Sequence, residues 1–207
     1  MSYSCRRDLW RNCGIMSDSA QMKDFFGPLF PLIGKWEGDK GMDVSPEKDG
    51  EEMSPYFETI TIEPVGDATN AAEQTLVVLS YKQIVSRKAD GQVFHHQTGY
   101  WYFEKKTGEV LYSLTIPRAV SVLAKGSAKE SGGKTEYEVR AVASDKNYGI
   151  IESSFMGAKA STKGFTMRVT VDGDKMQYKM NTALRIYDRD FDHSDENSLN
   201  RKDLAHI

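Results

Sequence analysis

Cysteine is almost missing from this chain. Of 207 residues only Cys5 and Cys13 are cysteines, and both lie near the start. Beyond them, no disulfide framework and no cysteine-based metal site is possible. Long apolar runs are missing as well: no stretch of about 18 apolar residues occurs, so nothing reads as a membrane-spanning helix. Charge of one sign is also lacking. Lys and Arg total 27 against 30 Asp and Glu, a net charge of −3. Without a clustered basic surface there is no electrostatic case for a nucleic-acid partner. Arg6, Arg7 and Arg11 are followed by no apolar h-region, which argues against a secretory signal and for a cytoplasmic address. The glycine-rich phosphate loops GxGxxG and GxxxxGK are absent, as is a nucleophile elbow. Histidine is scarce, at His95, His96, His193 and His206, and no HxxxH occurs. A dedicated zinc site, which needs three or four protein ligands, has no local motif here.

What is present reads as one domain with an ordinary apolar fraction of 39%. Met16 opens a second plausible start, and residues 1–20 read as a disordered extension, 21–202 as a ligand-binding domain and 203–207 as a tail. The apolar segment from Met22 to Ile33 contains Pro28 and Pro31, which preclude a long helix and predict a short helical cap. After Gly34 the pattern turns to period-two alternation. Ile60 and Ile62 alternate with Thr59, Thr61 and Glu63; Met167, Val169 and Val171 alternate with Thr166, Arg168 and Thr170. Turn signals separate these runs, the strongest being Asp90-Gly91 and Asp172-Gly173.

The alternation predicts ten strands, at 35–42, 56–64, 74–86, 92–104, 109–116, 119–127, 134–144, 149–157, 162–171 and 174–187. No helical stretch long enough for a parallel crossover intervenes. Sequential hairpins with one apolar face close most economically as an all-β, antiparallel up-and-down barrel, wide enough to hold a ligand. The strand 92–104 carries aromatics on both faces, so its outer face is expected to need cover from the 22–33 segment. The polar stretch from Asp188 to Ile207 reads as a surface segment anchored by Phe191 and Leu199.

Gly34, Trp36 and Gly38 open the first strand. A Trp between glycines suits the plug of a small-ligand barrel, because the glycines permit close backbone approach and the indole fills the floor. His95 and His96 are adjacent on a strand and point to opposite faces, so one faces inward; His96 is the candidate pocket wall.

In this order and spacing the motifs resemble the nitrobindin family. Gly34-x-Trp36-x-Gly38 is similar to its N-terminal signature, although Lys40 replaces the last glycine and Gly41 follows one step late. His96-Gln97-Thr98-Gly99-Tyr100-Trp101 is similar to a second motif, Ile116-Pro117 to Lys125-Gly126 to a third, and Phe191-Asp192-His193 followed by Leu199-Asn200-Arg201 to a fourth. The stretch 42–55 is longer and more charged than its counterpart. The resemblance implies a ten-stranded barrel, lipocalin- and fatty-acid-binding-protein-like in shape, with ferric haem b at one mouth. It also implies nitric oxide binding and isomerisation of peroxynitrite to nitrate. By position it makes His193 the axial iron ligand, with Asp192 or Asp195 on the other ring nitrogen. His96, Trp36, Gly34 and Gly38 join it as cofactor contacts, and Arg185 and Arg201 are candidates for the propionates. A haem-free carrier of a small apolar acid, with Arg118, Arg140 or Arg168 meeting the carboxylate, is the alternative. In either case the partner is a small molecule, and the chain is expected to be a monomer or a homodimer.

Overall fold

The computed structural model describes residues 19–203. An N-terminal helix α1 (Ser19–Phe26) runs into a 3₁₀ turn (Gly27–Leu32). Then follow β1 (Gly34–Glu47), β2 (Gly50–Asn70), β3 (Gln74–Arg87), β4 (Val93–Glu104), β5 (Glu109–Ile116), β6 (Val120–Ser131) and β7 (Lys134–Val142). The short β8 (Ile150–Glu152) and α2 (Ser154–Lys159) lead to β9 (Ala160–Asp172), β10 (Lys175–Ile186) and β11 (Arg189–Asp203). Each of β1 to β6 pairs antiparallel with the next full strand, β7 pairs with β9, β9 with β10 and β10 with β11, and β11 closes the circle on β1. The result is the expected closed ten-stranded antiparallel barrel, with β8 as an extra strand on β6. Closure satisfies every strand edge of the circuit, which an open sheet of this size would leave exposed.

Three segments differ from the sequence expectation. The span 149–157 is a strand only over Ile150–Glu152; Ser153 then caps α2 by accepting a hydrogen bond from the Met156 amide. Residues 43–55 are an ordered hairpin extension of β1 and β2 rather than a loop. The tail from Asp188 onward is a full closing strand. It escapes detection because its hairpin turn is Tyr187-Asp188, at φ 52° and 59°, with no glycine to announce it. The expected N-terminal extension lies outside the described residues except for Ser19 and Ala20, which belong to α1, and the expected tail lies outside them beyond Asp203.

One end of the barrel is plugged. The cap formed by α1 and the 3₁₀ turn buries Phe26, Leu29 and Leu32 completely. Trp36 is fully buried beneath it and donates its indole N–H to the Leu32 carbonyl at 2.8 Å. The Arg201 guanidinium stacks over the Trp36 ring at 4.1 Å. It also donates to the carbonyls of Pro31 and Gly173 at 3.1 Å, to Ile33, and to the Asp174 carboxylate. Gly34, at φ 137°, lets this arginine lie against the backbone, where a Cβ would come 3.1 Å from its Nη1. The cap packs on Phe103 at the inner face of β4. It does not cover the outer aromatics, and Tyr100 and Tyr102 instead lie against each other with centroids 5.8 Å apart.

Among the described residues no helix is long and apolar enough to cross a membrane. Replacing Trp36 by Ala removes the floor and leaves a cavity. The expected loss is about 3–5 kcal/mol of folding stability, measured by urea unfolding; a loss below about 1 kcal/mol would mean that the cap can collapse onto the space.

Candidate functional site

The opposite end, bounded by the β1–β2, β3–β4, β5–β6 and β10–β11 turns, carries the inward-facing ionisable groups. A one-residue bulge in β1, between Gly38 and Gly41, reverses which side chains face the interior. Before it Trp36 points inward; after it Gly41 and Asp43 do. Gly41 is required there, since a Cβ would sit 2.0 Å from the Tyr56 ring. On β11 the inward set is Phe191, His193, Asp195, Asn197 and Leu199, by the period-two rule. Asp43 and Asp195 are direct cross-strand partners, and His193 is two residues from Asp195 on the same face.

The three side chains converge. His193 Nε2 lies 2.7 Å from Asp43 Oδ1 and 3.6 Å from Asp195 Oδ2. The imidazole retains 30% of its surface in solvent, while the Asp43 and Asp195 side chains keep 10% and 17%. Burial by itself would lower the His193 pKa, but the Asp43 hydrogen bond and the field of both carboxylates outweigh it and raise the pKa above its ordinary value. For Asp43, burial is likewise outweighed by the histidine, and the carboxyl is lowered. Asp195 is raised, by burial and then by the Asp43 charge, against the opposing pull of His193. His95 faces the same opening from β4. Burial lowers its pKa, against a hydrogen bond to Gln97, and Arg118 in the β5–β6 turn lies within electrostatic range of both His95 and His193.

Deeper in the barrel a chain of polar side chains continues from this mouth. Tyr56 and Tyr178 share a hydroxyl–hydroxyl bond of 2.8 Å. The Glu58 carboxylate accepts hydrogen bonds from Tyr178 at 2.9 Å, from Asn197 at 2.7 Å and from Gln83 at 2.5 Å. Gln97 then links Gln83 to the hydroxyls of Tyr81 and Tyr112. Burial pushes the Glu58 carboxyl up to about 7, against the lowering effect of its three donors. Beside this chain and above the floor is a cavity of about 30 Å³, lined by Leu32, Ile62, Trp101, Met176 and Tyr178 among others. That is room for a water or two, far below the ~300 Å³ at which pockets for organic ligands begin.

The residues singled out from sequence fall in different places. His193 faces the mouth. Of the adjacent pair, His95 turns inward, whereas His96, the expected pocket wall, is exposed on the outer face of β4. Trp36, Gly34 and Gly38 sit at or beside the plugged end, with Gly38 pressed against the Ser198 carbonyl of β11. Arg185 lies on the outer face of β10, paired with Asp190 at 3.4 Å, and Arg201 is the floor arginine. Arg140 is exposed on β7, and Arg168 pairs with Glu138 outside the barrel. Asp43, His95 and Glu58 were not singled out. For Glu58 the signal was legible, since it shares the parity of Ile60 and Ile62; for Asp43 the bulge removed it.

The family model described as "THAP4-like, heme-binding beta-barrel domain" matches residues 26–201. Among solved structures, the crystal structure of Rv2717c from M. tuberculosis is similar, with a TM-score of 0.64 and 19% sequence identity. The match covers 90% of this chain and 100% of that one. At that identity the likeness is one of fold. No curated protein matches at the level of sequence.

Two titrations test this site. With Asp43 changed to Asn, the main group holding His193 protonated is gone, so the His193 pKa read by NMR is expected to fall; an unchanged value would remove Asp43 as its partner. Glu58 keeps its proton to about 7 in the folded chain and loses it near its ordinary 4.5 when unfolded. The folded state therefore binds more protons in this window, and the contribution of Glu58 to stability falls as pH rises through it, by about 3 kcal/mol in total. Glu58→Gln is expected to flatten the stability profile between those pH values; an equal slope in both proteins would assign it to another group.

Proposed function

The chain belongs to the family of THAP4-like, heme-binding β-barrel domains, and on that premise we propose that it binds haem b in the ferric state at the open mouth, with His193 as the protein ligand to the iron. The observation that carries this reading is the position of His193. It is an inward, part-exposed imidazole at the open end, held by a buried carboxylate on one ring nitrogen.

The donor set fits the group in kind. A ligating imidazole gives one nitrogen to the metal and directs the other to a carboxylate, which fixes the ring and raises its basicity. Asp43 engages Nε2, so Nδ1 is the nitrogen left to the iron. Arg118, exposed in the β5–β6 turn and within electrostatic range of His193, is the cation suited to a propionate. Val93, Phe155 and Tyr187 are exposed apolar side chains on segments at this end and suit the macrocycle. The interior cavity of about 30 Å³ is small for an organic ligand, which favours the mouth as its place. When bound, ferric haem would supply a site for nitric oxide and for the isomerisation of peroxynitrite to nitrate, and both activities are part of this reading.

The haem-free carrier of an apolar acid is less well supported. The barrel centre holds Glu58 rather than a cation to meet a carboxylate, the cationic candidates Arg140 and Arg168 point outward, and Arg118 is exposed in the β5–β6 turn.

An absorbance titration of the purified protein with ferric haem tests the proposal. The wild type is expected to give a saturable one-to-one Soret shift that His193→Ala loses. A shift that persists in the variant would overturn His193 as the ligand, and no saturable shift in the wild type would overturn haem binding itself.

A further inference from the structure

His193, Asp43 and Asp195 offer three metal-ligating atoms that all lie within 4.8 Å of one another. Around a first-row divalent cation with bonds of about 2.0–2.2 Å, neighbouring donor atoms of a tetrahedral site stand about 3.3–3.6 Å apart. Of the observed separations from His193 Nε2, the 3.6 Å to Asp195 lies at the upper end of that range and the 2.7 Å to Asp43 lies below it. Opening the shorter contact by roughly half an ångström completes a three-ligand face.

The charge inventory at the mouth points the same way. Asp43 and Asp195 face one another across the β1–β11 pair, both side chains mostly buried. Among the described residues no Lys or Arg forms an ion pair with either; the sole ion-pair partner of both is the His193 ring. The imidazole reaches one carboxylate at 2.7 Å and the other only at 3.6 Å, whereas a divalent ion in their midst would engage both at once. Three protein ligands with the fourth position open to solvent is also the pattern of a reactive rather than a closed structural metal site.

We propose that the haem-free protein binds one first-row divalent cation, of the Zn²⁺ class, through His193 Nε2, Asp43 and Asp195 at the barrel mouth. The site does not require haem: the cation takes Nε2, the ring nitrogen that Asp43 now holds, and not the Nδ1 assigned above to the iron. A carboxylate-rich set containing one imidazole suits Zn²⁺, Fe²⁺ or Mn²⁺ rather than a thiol-seeking ion.

The test is calorimetric titration of the haem-free, full-length wild type with Zn²⁺ alone, beside Asp195→Asn and His193→Gln, with thermal unfolding of each variant as a check on folding. One saturable site per chain is expected, weakened at least about tenfold in both variants, with His193 ring resonances shifting on zinc addition in the wild type. Wild-type binding that is undetectable, or that is equal in the Asp195→Asn variant, would overturn the site; the latter result would place the zinc elsewhere, as on Cys5 and Cys13. Asp195→Asn leaves His193 and Asp43 in place, so its haem titration is expected to stay near wild type, which separates failure of this site from failure of haem binding. If Asp195→Asn does not fold, the zinc-induced shift of the His193 resonances in the wild type decides alone, and its absence counts against the site.

Discussion

The antiparallel pairing of the first strand with the last is the contact on which the rest of this molecule depends. Without β1 against β11 the ten strands would be an open sheet with two unsatisfied edges, and neither end of the barrel would exist. The same seam builds both ends. At one, Trp36 from β1 meets Arg201 from β11, and the cation lies on the indole while its N–H groups fasten the cap and the β9–β10 turn. At the other, Asp43 from β1 meets Asp195 and His193 from β11. A floor and a polar mouth are thus two positions along one strand pair, separated by the bulge that reverses the facing of β1 between them.

The barrel interior is divided along its axis in a way that bears on its ligand. The floor half is filled by aromatic and aliphatic side chains that line a cavity of about 30 Å³. The half toward the mouth holds Glu58 at the centre of tyrosine, asparagine and glutamine donors, a satisfied polar network in a low-dielectric setting. A fatty-acid carrier would invert this plan, with an empty apolar lumen and a buried cation. This barrel instead presents an imidazole and carboxylates at its rim, over a largely filled interior.

Much of the architecture was legible in the residues. Period-two alternation from Ile60 to Ile62 and from Met167 to Val171 gave strands, Asp172-Gly173 gave a hairpin, and the two prolines of the cap gave a short helical lid. His193 was found through resemblance rather than through its own surroundings. Its strand went unread because Tyr187-Asp188 adopts a glycine-like turn without glycine. Asp43 went unread because alternation counted from Trp36 places it outside, and only the bulge turns it in. The choice between His95 and His96 could not be made from adjacency, which says that they oppose one another and not which one faces the lumen.

The sequence by itself determined the class of fold, because binary patterning and turn chemistry are local and are written residue by residue. It also showed that no cysteine follows Cys13 and that no contiguous metal motif occurs. Only the tertiary structure decided the site. Asp43 and His193 are 150 positions apart, and their meeting depends on barrel closure and on a one-residue shift of register. A single extra residue in a strand exchanges every face beyond it, so the chemistry of the mouth is a property of pairing, which no short stretch of the chain contains.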